Sequence, residues 1–391
     1  MHNNNSETTE LQKKMTAACL QFERKDLSHN STEDIIKNQL AAEGIKRIES
    51  FIFEAFLKQR LRLSKTNDNL SFSFGWSLGF NKYRAISYWF RFQESHDDWN
   101  NADQALVDKI SKDIYSNPLV PPTILRIEFI ESENTFYSQT YKKGNWDAPA
   151  PLIKTLKTLP FKAEYGTIRN TEEKHFSDAR FKIAMTWMEK KFFECELKNL
   201  SIHRRLINCF LVPALGRQIV DLDAIILTPD NSIDCLEFKR KYPAMGTKSF
   251  GLDAHPHIKL IKHLDQYSIN LRHIILVSPD WNKDTSPLEM LEDEKGKAQW
   301  HWLVANLTPD AIGTITMNTN GKDSGHSGEK RTQHNIKWST IHILQKGIKF
   351  TLTGKTKLFD FLESGKTSGL PEASYEYLNS QRRTTCRPIK T

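Results

Sequence analysis

The chain has 391 residues, 38% of them hydrophobic, with a formal net charge of +8 and a pI near 9.0. That length and apolar content exclude a disordered or small disulfide-stapled polypeptide and predict two or three domains, while the modest basic bias fits a polyanionic partner and plain solubility equally. The five cysteines form no CxxC pair, the polar N-terminal stretch lacks a signal-peptide core, and no segment reaches membrane-spanning length, so neither a zinc site nor a disulfide framework is expected, and the protein reads as cytoplasmic, without membrane contact.

Residues 1–12 read as a disordered tail and 13–166 as an N-terminal α+β region. Helical spacing runs from Thr32 to Leu63, with Gly44 as a break. Strands are expected at "LSFSFGWSL", "YRAISYWFRF", "TILRIEFIE" and "TFYSQTYK", with a helix at "ADQALVDKISKDIY" between them. "GWSLG" (Gly75–Gly79) matches a nucleophile elbow in letters, but a strand-like run follows where a helix is needed, so a hairpin is the better reading. Tyr83, Arg84, Tyr88 and Arg91 interleave aromatic and basic side chains; a packed core face is the more frequent use of such a strand. A boundary is placed near Gly166.

Residues 167–300 have a clearer order. A helix is expected over Asp178–Leu197, then a strand at Ile202–Val212, a strand pair at Ile219–Thr228 and Ile233–Arg240, a helix at Asp253–Tyr267 and a strand at "LRHIILVSP". This is α-β-β-β-α-β, predicting an α/β fold with a central mixed sheet. Residues 301–391 read as a β-rich region with a mobile loop at 316–335, a late hairpin ("KWSTIHIL", "IKFTLTG") and a basic tail. "TGKTK" (Thr353–Lys357) ends like a phosphate loop, but Lys349 stands where the leading glycine is required.

The strand pair carries the chemistry. Alternate residues share a face, so Asp221 and Asp223 lie together on the first strand, and Cys235, Glu237 and Lys239 on the second. A hairpin about Asp230 sets Asp223 opposite Glu237. Carboxylates so close repel, and burial adds several kcal/mol per ion unless a cation compensates. Hard oxygen ligands suit Mg²⁺, with Mn²⁺ as a substitute. Lys239 would then orient a water or steady a phosphoryl oxygen in metal-assisted phosphodiester hydrolysis. Downstream, Arg240, Lys241, Lys248, Lys259 and Lys262, with His263, form a basic stretch fit for a phosphate backbone. The "HPH" at His255–His257 lacks further ligands at metal spacing.

Asp223 before "AIIL", Glu237-Phe238-Lys239 ending the next strand, and the flanking helices resemble the PD-(D/E)xK (restriction-endonuclease-like) nuclease superfamily over Asp178–Pro279. The resemblance implies that Asp223 and Glu237 ligate the metal, that the Phe238 carbonyl completes the set, and that Lys239 assists the attacking water. It implies also a helix acid, for which Glu189 is preferred over Glu194 and Glu196, with Asp221 as a second ligand or support. DNA is the expected partner ahead of RNA, with restriction or phage defence as the setting; mobile-element or repair roles, and an inactive nucleic-acid-binding module, are the alternatives. A homodimer or partner subunits fit this class.

Overall fold

The computed structural model describes residues 40, 44–63, 70–80, 87–94, 98–116, 122–158, 179–215, 219–282, 285–320 and 330–383. They fall into two compact units, one of the residues up to Ile48 with Gly75–Leu222, the other of Glu49–Phe74 with Asp223–Thr391. The second unit is therefore discontinuous in sequence. The boundary expected near Gly166 lies outside the described residues.

Helix α1 (Ile45–Leu63) begins just past Gly44, whose φ of +80° suits a residue without a Cβ. It buries Ile48, Phe51, Ile52, Ala55 and Leu57. The three-residue strand β1 (Ser71–Ser73) follows.

Between Gly75 and Leu222 the chain builds its other unit from β2 (Trp76–Phe80), β3 (Ser87–Gln93), α2 (Asn101–Ser116), β4 (Thr123–Ile130), β5 (Thr135–Lys142), β6 (Asn145–Trp146), β7 (Ala150–Pro151), α3 (Leu152–Thr158), α4 (Ala179–Lys191), α5 (Glu194–Arg205) and β8 (Ile219–Leu222). The sheet runs β6-β5-β4-β3-β2-β8, with β7 on β5. Ser77 sits mid-strand in β2, antiparallel to β3, as the hairpin reading expects. Tyr88 and Arg91 are buried, so they form core rather than a nucleic-acid surface; Tyr83 and Arg84 lie outside the described residues. The strand expected at Ile202–Val212 is instead helix: α5 continues through a wide turn at Leu206–Leu211 into Val212–Leu215. Ile202, Leu206, Cys209 and Phe210 recur at helical spacing and pack on Tyr88, Phe92 and Phe136.

The chain returns with β9 (Ala224–Leu227), β10 (Ile233–Arg240), β11 (Gly251–Asp253), α6 (Lys259–Gln266), β12 (Asn270–Val277), α7 (Glu294–Ala298), β13 (His301–Leu307), β14 (Ile312–Asn320), β15 (Lys330–Ile336), β16 (Ile341–Lys346), α8 (Leu352–Ser364) and α9 (Tyr375–Gln381). A six-stranded sheet has the order β1-β9-β10-β12-β13-β16, and a three-stranded one β11-β15-β14. Only β10 and β12 pair in parallel in the six-stranded sheet; β1–β9, β9–β10, β12–β13 and β13–β16 are antiparallel. Parallel neighbours need a long crossover, and α6 lies within it. α6 buries Leu260, Ile261 and Leu264.

The architecture is mixed α/β, and the unit that holds the six-stranded sheet runs α1, β1, β9, β10, β11, α6, β12 in chain order. The helix and strand expected at Asp178–Val212 belong to the other unit, and what precedes β9 in this one is α1 and β1. Residues 301–391 are not a separate region either, since β13 and β16 extend the same sheet. Much of the stretch expected as a mobile loop pairs as β14 and β15, with residues 321–329 outside the described set. The late hairpin is replaced by β16 followed by α8, where "TGKTK" is helical. Cys195 and Cys235 are free, and Cys209 is disulfide-bonded.

Candidate active site

The hairpin register places the two acids. Ile233 pairs with Leu227, Cys235 with Ile225 and Leu236 with Ala224, where the ladder ends, one residue short of both Glu237 and Asp223. The turn is held by Asp230, which accepts hydrogen bonds from Ser232 N–H (3.2 Å) and Oγ (3.0 Å), while the Thr228 hydroxyl donates to the Ser232 carbonyl at 2.9 Å. A bend at Asp223 separates β8 from β9, and there Asp223 Oδ2 accepts from the Phe238 N–H at 2.6 Å.

Glu237 is buried within a strand enclosed on both faces. Its Oε1 lies 2.5 Å from Lys239 Nζ and 3.7 Å from His257 Nε2. Its Oε2 is buried with no hydrogen-bond partner. Burial would push the Glu237 carboxyl up, but the Lys239 ammonium and His257 outweigh it and hold the group ionised, well below the usual range. Asp223 is driven the other way. It keeps some surface open to solvent, yet packing around the carboxyl raises its pKa well above normal, with the Glu237 and Glu54 charges adding to that and Lys239 and Lys58 opposing. For Lys239, burial disfavours the charged form, but Glu237 and Asp223 overcome it and hold the ammonium above its ordinary pKa.

A cleft of about 180 Å³ opens on Glu237 and Lys239, lined also by Lys241, Asp253, His257 and His273; Asp223 is not among its lining residues. Its far wall is braced: Gln333 donates to Asp253 at 2.7 Å, and Asp253 Oδ2 lies 3.8 Å from His257 Nδ1. His273 is buried beneath, with Nδ1 3.1 Å from the Glu237 carbonyl; burial and then the Lys241 charge keep it neutral.

The structure brings together Asp223, Glu237 and Lys239. It does not bring Asp221 to them: that carboxylate accepts from Ser77 Oγ at 3.1 Å and lies 3.7 Å from His203, both in the other unit with it. The cause is the bend, which breaks the alternation the sequence reading carried through Asp223. Glu189 is likewise exposed on α4 of the other unit. The acid acting on this cluster from a helix is Glu54 of α1, with Lys58 one turn on; both sequence reasoning missed, although Glu54 is only half-buried amid the apolar positions of α1.

The basic residues divide. Arg240 lies 3.8 Å from Glu49 and 5.3 Å over the Phe53 ring, which makes it an internal brace. Lys241 donates to the Gly251 carbonyl at 3.2 Å, and burial followed by Lys239 pushes its pKa down to about 8. Lys248 and Lys262 are exposed. Lys259 is half-buried, which lowers its pKa. His263 is pushed down to about 4 by burial and Lys259, so it adds no charge at neutral pH.

Among the described residues, no three His, Cys, Asp or Glu side chains converge closely enough to enclose a metal ion. The donor chemistry that is present, two neighbouring carboxylates with Glu237 Oε2 buried and without a hydrogen-bond partner, fits a hard cation that keeps most of its waters, as Mg²⁺ does. No described helix is long and apolar enough to cross a membrane.

No family model, curated protein or solved structure matches this chain.

Proposed function

We propose that this protein is a metal-dependent phosphodiesterase of the PD-(D/E)xK type, acting on nucleic acid, with DNA ahead of RNA as its substrate. The observation that carries the reading is the hydrogen bond that ties Asp223 to the Phe238 N–H at 2.6 Å, between Glu237 and Lys239, with Lys239 Nζ 2.5 Å from Glu237. The strand order β1, β9, β10, β12 in one sheet, with its antiparallel, antiparallel, parallel pairing and with α6 and the short β11 in the crossover, supports it, as does the acid Glu54 on the first helix.

Asp223, Glu237 and the Phe238 carbonyl would hold Mg²⁺ or Mn²⁺, and Glu54 would support Asp223. The ion supplies activation of water and charge stabilisation at the phosphoryl oxygens. Lys239 stays protonated beside two acids, so its part is that of a fixed cation aimed at a developing oxyanion rather than a base. Lys241, Lys248, Lys259 and Lys262 would attract the phosphate backbone. A setting in restriction or phage defence follows only from the large unit inserted between β1 and β9, whose size suits target recognition.

The test incubates purified protein with linear, circular and single-stranded DNA and with RNA, in Mg²⁺ or in EDTA. Cleavage is expected in Mg²⁺ alone and is lost in Asp223→Ala and Lys239→Ala. Binding without cutting under every condition would establish the inactive binding module instead.

A further inference from the structure

His257 stands between two carboxylates that come from different sheets of one unit. Its Nε2 lies 3.7 Å from Glu237 Oε1 on β10 of the six-stranded sheet, and its Nδ1 lies 3.8 Å from Asp253 Oδ2 on β11 of the three-stranded one. The imidazole sits in the turn Ala254–Ile258, and α6, which follows it, anchors that turn by burying Leu260, Ile261 and Leu264. Asp253 is aimed by its cross-strand neighbour. β11 and β15 are antiparallel and pair Asp253 directly with Gln333, so the two side chains rise on one face. Gln333 Nε2 donates to Asp253 Oδ1 at 2.7 Å, which leaves Oδ2 toward the imidazole. Gly251 makes room for that amide, since a Cβ there would run into Gln333 Oε1.

Glu237 meets both of its partners at one oxygen. Lys239 Nζ and His257 Nε2 face Oε1, whereas Oε2 is buried and has no hydrogen-bond partner. A carboxylate buried without compensation costs several kcal/mol; here Lys239 and then His257 outweigh the burial. Two groups drawn to one oxygen also select the rotamer, and the other oxygen is left for a hard cation. The two imidazole contacts are longer than hydrogen bonds, a slack of the kind that closes when a site is loaded.

We infer that His257 is a positioning residue for Glu237: it holds Oε1 so that Oε2 is presented to the cation, while Asp253 and Gln333 fix the imidazole from the second sheet. This rests on the metal site of the nuclease reading and adds the residues that prepare its ligand. Partners that orient a metal ligand in this way are worth about 10–100-fold in cation affinity.

The test measures Mn²⁺ binding to the full chain by titration calorimetry without nucleic acid, and separately the Mg²⁺ dependence of cleavage. His257→Leu is expected to weaken Mn²⁺ binding about tenfold or more. His257→Gln keeps an N–H donor where Nε2 stands and should stay within about threefold of wild type, which separates loss of the donor from misfolding. Asp253→Asn and Gly251→Ala, the latter displacing the Gln333 amide, leave the imidazole in place and should each weaken binding by about threefold or more. In cleavage, His257→Leu should raise the Mg²⁺ concentration for half-maximal rate about tenfold, while its rate at saturating Mg²⁺ approaches that of wild type, a split that general damage to the fold does not give. Wild-type Mn²⁺ affinity in His257→Leu, or in both Asp253→Asn and Gly251→Ala, would overturn the assignment, as would a glutamine variant as weak as the leucine one. A wild type that takes up no Mn²⁺ removes the metal-dependent reading and this inference with it. His257-dependent uptake without cleavage of any nucleic acid sinks the nuclease reading alone, and cleavage with His257-independent uptake sinks this one alone.

Discussion

Asp223 accepts the Phe238 N–H at 2.6 Å, and this bond ties the acid to the strand that carries Glu237 and Lys239. The carboxylate is thereby fixed where its charge is least welcome. Burial, then Glu237 and Glu54, raise its pKa well above normal. A group with a raised folded-state pKa stabilises the fold at low pH and loses that contribution as pH rises through the folded value.

Asp223→Asn should therefore gain stability over wild type in EDTA, by an amount that grows as pH rises. An asparagine carbonyl still accepts from Phe238. A rise in Tm of about 2–4 °C near neutral pH is expected, together with loss of Mg²⁺-dependent cleavage. Thermal melts across pH decide it; a variant less stable than wild type at every pH would contradict the charge argument.

Divalent cation should stabilise the wild type without any substrate. A ligand that binds only the folded state at a hundred times its Kd adds about 2.7 kcal/mol. Melts with Mg²⁺ or Mn²⁺ against EDTA should show the shift in wild type and not in Asp223→Asn. Because the cation must displace the Asp223 proton, its affinity should increase with pH. An equal shift in both proteins would place the ion elsewhere.

Much of this site was legible because its geometry is local. The acids, the turn and the E-x-K fall between Asp221 and Lys239, and a hairpin register follows from turn chemistry and side-chain alternation. What failed was long-range or interrupted. β1 has three residues, too few to show a period, and pairs with β9 across the whole of Gly75–Leu222. With that partner unseen, the α-β-β-β-α-β order was completed with neighbours in sequence, Asp178–Val212, and Glu189 was chosen over Glu54, the helix acid whose charge acts on Asp223. Asp221 was misplaced by one bend, which alternation cannot report.

Glu237→Gln should destabilise the protein, opposite in sign to Asp223→Asn. Glu237 is held below its ordinary pKa, so its contribution is present above the unfolded value and is lost only as pH falls through the folded one. Removing its charge strands Lys239. Since that side chain is 37% exposed, a cost of about 1–3 kcal/mol is expected, below that of a fully buried pair. Denaturant melts at neutral pH measure it, and a neutral or stabilising change would show that the pair contributes nothing.

The helix acids offer the sharpest comparison. Glu54 acts on both Asp223 and Lys239, whereas Glu189 is exposed on α4 and Asp221 is engaged with Ser77 and His203. Supporting acids beside metal ligands are worth about 10–100-fold, and exposed glutamates far less. Glu54→Gln should cut Mg²⁺-dependent cleavage by about tenfold or more, raise the cation concentration needed for half-maximal rate, and slightly lower the Asp223 pKa by removing a neighbouring negative charge. Glu189→Gln should stay within about twofold of wild type, and Asp221→Asn should alter stability more than rate. If Glu189→Gln were the variant that lost activity while Glu54→Gln kept it, the assembly of the site from α1, β9 and β10 would be wrong.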